Sequence, residues 1–268
     1  MSALKIAVAG ATGRMGRVVA EAVLKDEAAE LVAAFDVPGQ ALIGKSVGEL
    51  VGIPCALELT SDAAAAIAGA DCLIDFTRPQ GALDHLPICR RQGVAMVIGT
   101  TGLDDAGRQA VADAAREIPV VFAPNMSVGV NVVFKLLDVA SRILAQGYDV
   151  EIVEAHHRLK VDAPSGTALR MGEVVAGALG RELGRCALFG REGITGERDA
   201  STIGFSTIRG GDIVGDHTVM YCGIGERLEI SHRAGSRMPY ALGALRAARF
   251  LADRKNGLYD MQDVLGLR

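Results

Sequence analysis

Residues 154–168 read Glu-Ala-His-His-Arg-Leu-Lys-Val-Asp-Ala-Pro-Ser-Gly-Thr-Ala. Four side chains that are or become cationic, His156, His157, Arg158 and Lys160, fall within five positions. Taken alone, such a cluster reads as a solvated basic strand end. A helix start, Pro164-Ser165-Gly166-Thr167, follows within a few residues, and its backbone N–H groups favour a negative charge. The two together make a compact site for a small molecule that carries carboxylates. Proton donors are at hand, since a histidine titrating near neutrality or a lysine beside an anion can give up a proton. If the strand leading into the cluster continues through it, His156, Arg158 and Lys160 share one face and His157 takes the other. Three adjacent cations repel, and a dianionic ligand offsets that cost. Ser165 or Thr167 caps the helix, with Pro164 in its first turn. Asp162 either orients Lys160 or a histidine or serves as the cap.

A second constellation opens the chain. Gly10-Ala11-Thr12-Gly13-Arg14-Met15-Gly16 follows an apolar run, Lys5 to Ala9, and precedes apolar residues at helical spacing. Gly10 permits a sharp turn, Gly13 lets the backbone approach a pyrophosphate, and Gly16 lets the helix sit near the strand. Asp36 ends the next apolar run, 20 residues past Gly16, where an acid accepts hydrogen bonds from ribose hydroxyls. The spacing is Gly-x-x-Gly-x-x-Gly rather than the commoner dinucleotide pattern. The plainer alternative is a tight strand–helix turn that binds nothing. Arg14 covers the adenine or a phosphate, or simply faces solvent. A dinucleotide loop together with a carboxylate site implies a reductase that moves hydride to an anionic substrate.

The elements that must position these groups alternate between strand and helix. Strand runs at Leu31–Phe35, Cys72–Phe76, Ala95–Ile98 and Val120–Ala123 are interleaved with helices at Asp62–Ala68, 79–92 and Asp104–Arg116. Such alternation predicts a parallel sheet covered on both faces. Residues 37–60, rich in Gly and Pro, read as a long loop with one short helix and one short strand. The strand ends at Thr77-Arg78-Pro79, Gly99-Thr100-Thr101 and Pro124-Asn125-Met126 belong in the same crevice as the glycine loop. After a helix over residues 129–145 the texture changes. Asp149–His156 is a strand, 166–179 a helix, and the alternation around Thr218–Cys222 and Arg227–Ser231 an antiparallel hairpin. Residues 238–254 return to helix and pack back on the first domain. The expected fold class is α/β. It comprises an N-terminal Rossmann-like parallel-sheet domain (1–126 with 238–268) and an α+β C-terminal domain (127–237) with an open, mostly antiparallel sheet.

Composition excludes several other classes. The chain has 268 residues, half of them hydrophobic, with 33 Gly and no Trp, the profile of an α/β enzyme. A formal charge of −4 argues against nucleic-acid affinity. The five cysteines are scattered without a Cys-x-x-Cys pair, so neither disulfides nor a metal site is expected and a reducing cytoplasm fits. Cys72 and Cys222 read as buried, inert thiols. No apolar run approaches the roughly 18–20 residues of a membrane span, and no signal peptide is expected.

Several strings resemble the dihydrodipicolinate reductase family. They are Gly-Ala-x-Gly-Arg-Met-Gly at the start, Ile-Asp-Phe-Thr at 74–77, Gly-Thr-Thr-Gly at 99–102 and Asn-x-Ser-Val-Gly-Val-Asn at 125–131. The 154–168 string, Gly-Glu-Arg at 196–198 and Gly-Asp-Ile-Val-Gly-x-His at 211–217 belong as well. The resemblance spans nearly the whole chain. It implies NADH- or NADPH-dependent reduction of 4-hydroxy-tetrahydrodipicolinate (dihydrodipicolinate) to tetrahydrodipicolinate on the diaminopimelate route to lysine. It implies that His156 is the acid/base residue and Lys160 the proton donor, with His157, Lys160, Ser165, Gly166 and Thr167 holding the two carboxylates of the substrate. The cofactor would be lined by Gly10, Ala11, Thr12, Gly13, Arg14, Met15, Gly16, Asp36, Phe76, Gly99, Thr100, Thr101, Ala123, Pro124, Asn125 and Met126. It also implies a homotetramer joined through the open sheets of the second domain.

Two positions depart from the family pattern. Some members follow the strand-two acid with Arg, which pairs with the extra phosphate of NADPH. Here the pair is Asp36-Val37, which favours NADH. Met126 stands where the family carries an aromatic. The rival readings are another amino-acid dehydrogenase, acting on aspartate or homoserine, and a non-catalytic dinucleotide sensor.

Overall fold

The computed structural model describes residues 3–268. Contacts divide the chain into two compact units, one running to Val128 and resuming over Arg237–Arg268, the other covering Gly129–Ser236.

The first unit begins β1 (Leu4–Ala9), α1 (Arg14–Leu24), β2 (Ala29–Phe35), α2 (Val47–Val51), α3 (Ala63–Ile67), β3 (Cys72–Asp75). It continues α4 (Pro79–Gln92), β4 (Ala95–Ile98), α5 (Asp105–Ala114) and β5 (Pro119–Phe122). All of these strands pair in parallel. β3 and β4 are buried at every position, which is why they read as continuous apolar runs rather than alternating ones. Each fully buried Ile or Leu contributes roughly 2 kcal/mol. Ile6, Val8, Ile74 and Val97 pack on one side of the sheet with α1, and Leu73, Met96 and Ile98 on the other with α3, α4 and α5. β1 lies between β3 and β2. The crossovers leave it in opposite directions there, and the carboxyl ends of β1 and β3 flank the crevice that such a reversal creates.

Residues 37–60 hold the expected short helix, capped by Ser46 at its start and by left-handed Gly52 at its end. The expected short strand is absent. Isolated bridges, Phe35 to Thr60 and Ser46 to Glu58, take its place, and Val47 and Leu59 are the buried anchors of the stretch.

The second unit comprises α6 (Val128–Ile143), β6 (Asp149–His156), α7 (Gly166–Ala178), α8 (Leu183–Cys186), β7 (Ala187–Phe189), β8 (Ile203–Arg209), β9 (Gly215–Cys222) and β10 (Arg227–Ala234). Its sheet runs β10-β9-β6-β8-β7. The pairings of β10 with β9 and β9 with β6 are antiparallel, those of β8 with β6 and β7 parallel. Antiparallel pairing covers more residues than parallel. Burial in β6 and β9 alternates strictly. Val150, Ile152, Val219 and Tyr221 face inward and pack with Val133, Phe134 and Leu137 of α6 and Met171 and Val175 of α7. The buried Tyr221 hydroxyl meets Ser141 Oγ at 2.7 Å. The opposite face, with Val153, Ala155, Thr218 and Met220, has no covering layer within this unit and is part-exposed. Cys222 lies on that face and is part-exposed, whereas Cys72 is buried as expected. The Gly196-Glu197-Arg198 motif anchors the loop before β8. Arg198 donates to Asp149 Oδ1 at 2.7 Å, Glu151 Oε1 at 3.0 Å and Thr202 O at 2.7 Å.

The chain then completes the first unit with α9 (Met238–Ala252), β11 (Gly257–Tyr259) and α10 (Met261–Leu265). α9 adds Ala241, Ala244, Leu245, Ala248 and Leu251 to the core shared with α1. It presents small residues because it lies hard against the exit of β5: a Cβ at Gly243 would overlap Met126 O. β11 extends the sheet edge beyond β5. Among the described residues no helix is long and apolar enough to cross a membrane, and no cluster of His, Cys, Asp and Glu could hold a metal ion.

Candidate active site

In the first unit the glycine loop is locked to both neighbouring strand ends. Gly10 adopts φ +63°, and a Cβ there would sit 2.8 Å from Thr77 Cγ2 at the end of β3. Gly13 starts α1 with extended backbone and no side-chain cap. The first-turn N–H groups are therefore open to a ligand anion. Thr12 donates to Asp36 Oδ2 through its N at 2.9 Å and its Oγ1 at 2.6 Å. Val37 N donates to Asp36 Oδ1 at 2.8 Å. A carboxylate has about four acceptor positions, so Asp36 keeps capacity for a ribose hydroxyl while its orientation is fixed. Thr12 thus acts as the tether between the loop and the acid. Arg14 is exposed.

The other expected cofactor residues lie at the ends of β3, β4 and β5. The Phe76 ring covers Gly99, where a Cβ would overlap it. Buried Thr100 donates its Oγ1 to Thr77 O at 2.9 Å. Thr101 and Pro124 are exposed, and Ala11, Ala123 and Met126 point into the core, so only their backbone can meet a ligand. Asn125 Oδ1 accepts from Ser127 N at 2.9 Å and turns the chain into α6. One pair escaped sequence reasoning. Fully buried Asp75 accepts from Thr77 N at 2.7 Å and Thr77 Oγ1 at 2.6 Å. Its other oxygen meets His85 Nδ1 at 2.7 Å.

The second unit carries the cationic cluster, arranged differently from the expected strand parity. β6 ends at His156, where Gly210 N donates to His156 O. The next residues turn, with Lys160 N bonded to His157 O at 3.1 Å. His156 is therefore buried, Arg158 exposed and Lys160 part-buried, so the three do not share a face. Lys160 Nζ donates to both Asp162 oxygens at 2.8 Å. The cap is Ser165 rather than Thr167: its Oγ accepts from Ala168 N at 3.2 Å. Pro164 precedes that cap instead of occupying the first turn. Ser165 Oγ also meets His217 Nε2 at 2.9 Å, which fixes the start of α7. Gly166 is exposed with open space around its Cα, and Thr167 follows it. His157 Nδ1 is buried with no hydrogen-bond partner.

The centre of this cluster is Glu154, 1% exposed. Its Oε2 meets His156 Nδ1 at 2.5 Å and Arg209 Nη1 at 2.9 Å. Its Oε1 accepts from Arg209 Nη2 at 2.9 Å, Ser165 N at 3.1 Å and Thr207 Oγ1 at 3.2 Å. Burial pushes the Glu154 carboxyl up, but hydrogen bonds from Arg209 and His156 outweigh it and hold it below the ordinary range. Burial pushes the His156 imidazole below its usual value, only partly offset by Glu154. Burial and the neighbouring His156 hold His217 down to about 3. Glu154, Arg209 and His217 were not singled out from sequence. Glu154 carried a signal, an acid on the inward parity of β6 two residues before His156. His217 lay in the 211–217 motif, and Arg209 had no local signal.

These shifts predict how stability depends on pH. An unfolded histidine takes up a proton near 6.5, whereas folded His217 waits until about 3. In that window the unfolded state binds more protons, so stability falls as pH falls. Between about pH 8 and about pH 5, His217 alone is expected to remove about 2 kcal/mol. His156, also held low, adds to the loss. Glu154, with its lowered folded value, extends it below the usual carboxylate range as pH falls through that value. Thermal unfolding of the wild type and of His217→Gln across this range checks this. The variant is expected to lose less, and equal pH slopes would contradict the assignment.

The fold and these groups define an oxidoreductase with a nucleotide-binding Rossmann unit and a separate unit bearing the cationic cluster. Residues 4–126 match the family described as dihydrodipicolinate reductase, N-terminus, and residues 129–265 that described as dihydrodipicolinate reductase, C-terminus. The chain belongs to the dihydrodipicolinate reductase family, whose members are pyridine-nucleotide-dependent reductases. It is 71% identical over 268 residues to 4-hydroxy-tetrahydrodipicolinate reductase of Dechloromonas aromatica (strain RCB), covering all of both chains. It is 68% identical to the enzyme of the same name from Aromatoleum aromaticum, covering 100% of this chain and 97% of that one. Among solved structures, dipicolinate-bound dihydrodipicolinate reductase from Paenisporosarcina sp. TG-14 shares the fold, with TM-score 0.77 and 23% identity, covering 97% of this chain and 98% of that chain.

Proposed function

We propose that the chain reduces 4-hydroxy-tetrahydrodipicolinate to tetrahydrodipicolinate, the step its relatives' name denotes, on the diaminopimelate route to lysine. The observation that carries this reading is the folding of residues 154–168 about buried Glu154, which meets His156 and the start of α7 directly, while Lys160 is held by Asp162 of the same stretch. Lys160, His157 and Ser165-Gly166-Thr167 hold the two carboxylates. The Ser165 hydroxyl is already used by the helix cap and His217, so Gly166 offers a backbone N–H group.

The open start of α1 fits a pyrophosphate, and tethered Asp36 fits ribose hydroxyls. Phe76, Gly99 to Thr101 and Ala123 to Met126 line the rest of the dinucleotide. When bound, the nicotinamide supplies the hydride. The remaining chemistry belongs to the chain. Ionised Glu154 accepts only, so neutral His156 carries its proton on Nδ1 and keeps a lone pair on Nε2. In that state His156 cannot give a proton, and Lys160 delivers it. One hydride and one proton enter the substrate and water leaves. Steady-state cofactor oxidation with freshly prepared synthase product tests the proposal. Turnover with that substrate, and none with aspartate or homoserine, is expected. An absence of cofactor oxidation would favour a sensor.

The preferred cofactor is NADH. Both Asp36 oxygens are fixed next to the ribose position, and the neighbouring side chain is exposed, apolar Val37. A 2′-phosphate would meet negative charge there. The expected result is a higher kcat/KM with NADH than with NADPH at physiological salt; equal values would overturn it. The protein is a cytoplasmic homotetramer joined through the uncovered face of the second sheet. Light scattering is expected to return four times the 27.9 kDa chain mass, and a monomer would exclude that assembly.

A further inference from the structure

His156, Lys160 and the start of α7 lie in a strand end, a turn and a helix start, and one buried carboxylate connects them, two directly and Lys160 through Arg209 and Asp162. Glu154 meets His156 Nδ1 directly at 2.5 Å and Ser165 N at 3.1 Å. Its bidentate partner Arg209 donates Nη2 to Asp162 O at 2.6 Å, and Asp162 in turn holds Lys160. A buried, multiply bonded acid is costly to keep unless every acceptor is used. Here five donors use it. A hydrophobic residue would fill the same inward position of β6 more cheaply. A burial cost borne beside the candidate proton donor indicates a task other than folding.

We propose that Glu154, braced by Arg209, is the positioning residue that fixes the tautomer of His156 and the placement of the Lys160 and α7 anion cradle. The proposal rests on the reductase reading and deepens it. An ionised carboxylate can only accept, so it requires Nδ1–H on the imidazole and leaves a lone pair on Nε2. Nε2 lies beside Gly215, where a Cβ would come within 3.1 Å, so the small residue leaves room beside that nitrogen. The other ionisable groups around the ring are Lys160 and Arg209, which both oppose its protonation, and His217, whose ring centroid is 5.0 Å away. None of these supplies a competing acceptor for Nδ1–H. An amide at position 154 would offer an NH2 to Nδ1 instead. The ring would then hold its proton on Nε2, turning that acceptor into a donor.

The test uses the intact enzyme labelled with 15N-histidine, with His156 assigned by its loss in His156→Gln. The wild type at neutral pH is expected to show His156 as the neutral Nδ1–H tautomer. An Nε2–H tautomer or an imidazolium would overturn the proposal without any variant at position 154. Glu154→Gln is expected to switch the signal to Nε2–H and lower kcat by about 10²-fold or more. Its KM for NADH should stay unchanged, because the first unit is untouched. Its affinity for dipicolinate, used as a non-reacting dicarboxylate, should fall about tenfold or more as the α7 start loses its brace. An unchanged tautomer with normal kcat would overturn the proposal. If Glu154→Gln does not fold, Glu154→Gln/Arg209→Gln removes the stranded cation and is read by the same measurements. A wild type that binds dipicolinate and shows Nδ1–H but never oxidises NADH would sink the reductase reading and leave the positioning role standing.

Discussion

Lys160→Ala is expected to lower kcat by about 10²-fold or more, the loss typical of a missing general acid. Burial holds His156 low, and its one proton is committed to Glu154. Arg158 is exposed and, as a guanidinium, does not give up its proton. That leaves Lys160, part-buried and held at 2.8 Å by both oxygens of Asp162. Asp162 holds the ammonium in place for a bound carboxylate to meet. The variant is therefore expected to weaken dicarboxylate binding as well as turnover, while NADH affinity stays constant. Single-turnover measurements separate the two effects. A near-normal rate would remove Lys160 from the chemistry.

Gly16→Ala is the second large effect, and it acts through backbone. A Cβ at position 16 would lie 2.7 Å from both Ala11 Cα and Gly10 C and overlap Gly10 O. None of these atoms can rotate away, so either α1 or the loop has to move. Overpacking of this kind costs about 1–3 kcal/mol, occasionally more. Helix propensity favours Ala over Gly by only about 1 kcal/mol. The expected outcome is a melting temperature lower by roughly 5 °C and NADH binding weaker by about tenfold or more. Gly177→Ala is the control, because nothing lies within 4 Å of its Cβ position in α7. There propensity acts unopposed and a slight gain in stability is expected. Equal behaviour of the two variants would show that the close approach at Gly16 is not needed.

The legible parts of the fold were those whose pattern is local. β3 and β4 read as apolar runs because both faces are buried. The β9–β10 hairpin was visible from its alternation, and Asp36 from its distance to the glycine loop. β8 was not placed because Gly204 interrupts it and Ser206, Thr207 and Ile208 are exposed. β11, three residues long at an edge, carries almost no signal. The parity expected for the cationic cluster failed because the strand stops at His156 and a turn follows. Local rules allowed Ser165 or Thr167 as the cap, and the choice is made by His217, 52 positions away. Arg209 reaches Glu154 from 55 positions along the chain, a contact created by the register of β6 against β8. The Asp75–His85 pair likewise depends on how α4 returns over β3.

The nucleotide-binding unit borrows α9, β11 and α10 from the far end of the polypeptide. During synthesis the ribosome therefore releases β1 to β5 long before the helix that seals one side of their sheet exists. The inserted unit, complete by Ser236, can close first, while the earlier-made half waits with an apolar surface open to chaperones. Premature termination anywhere before α9 would forfeit the oldest part of the molecule, not merely its tail.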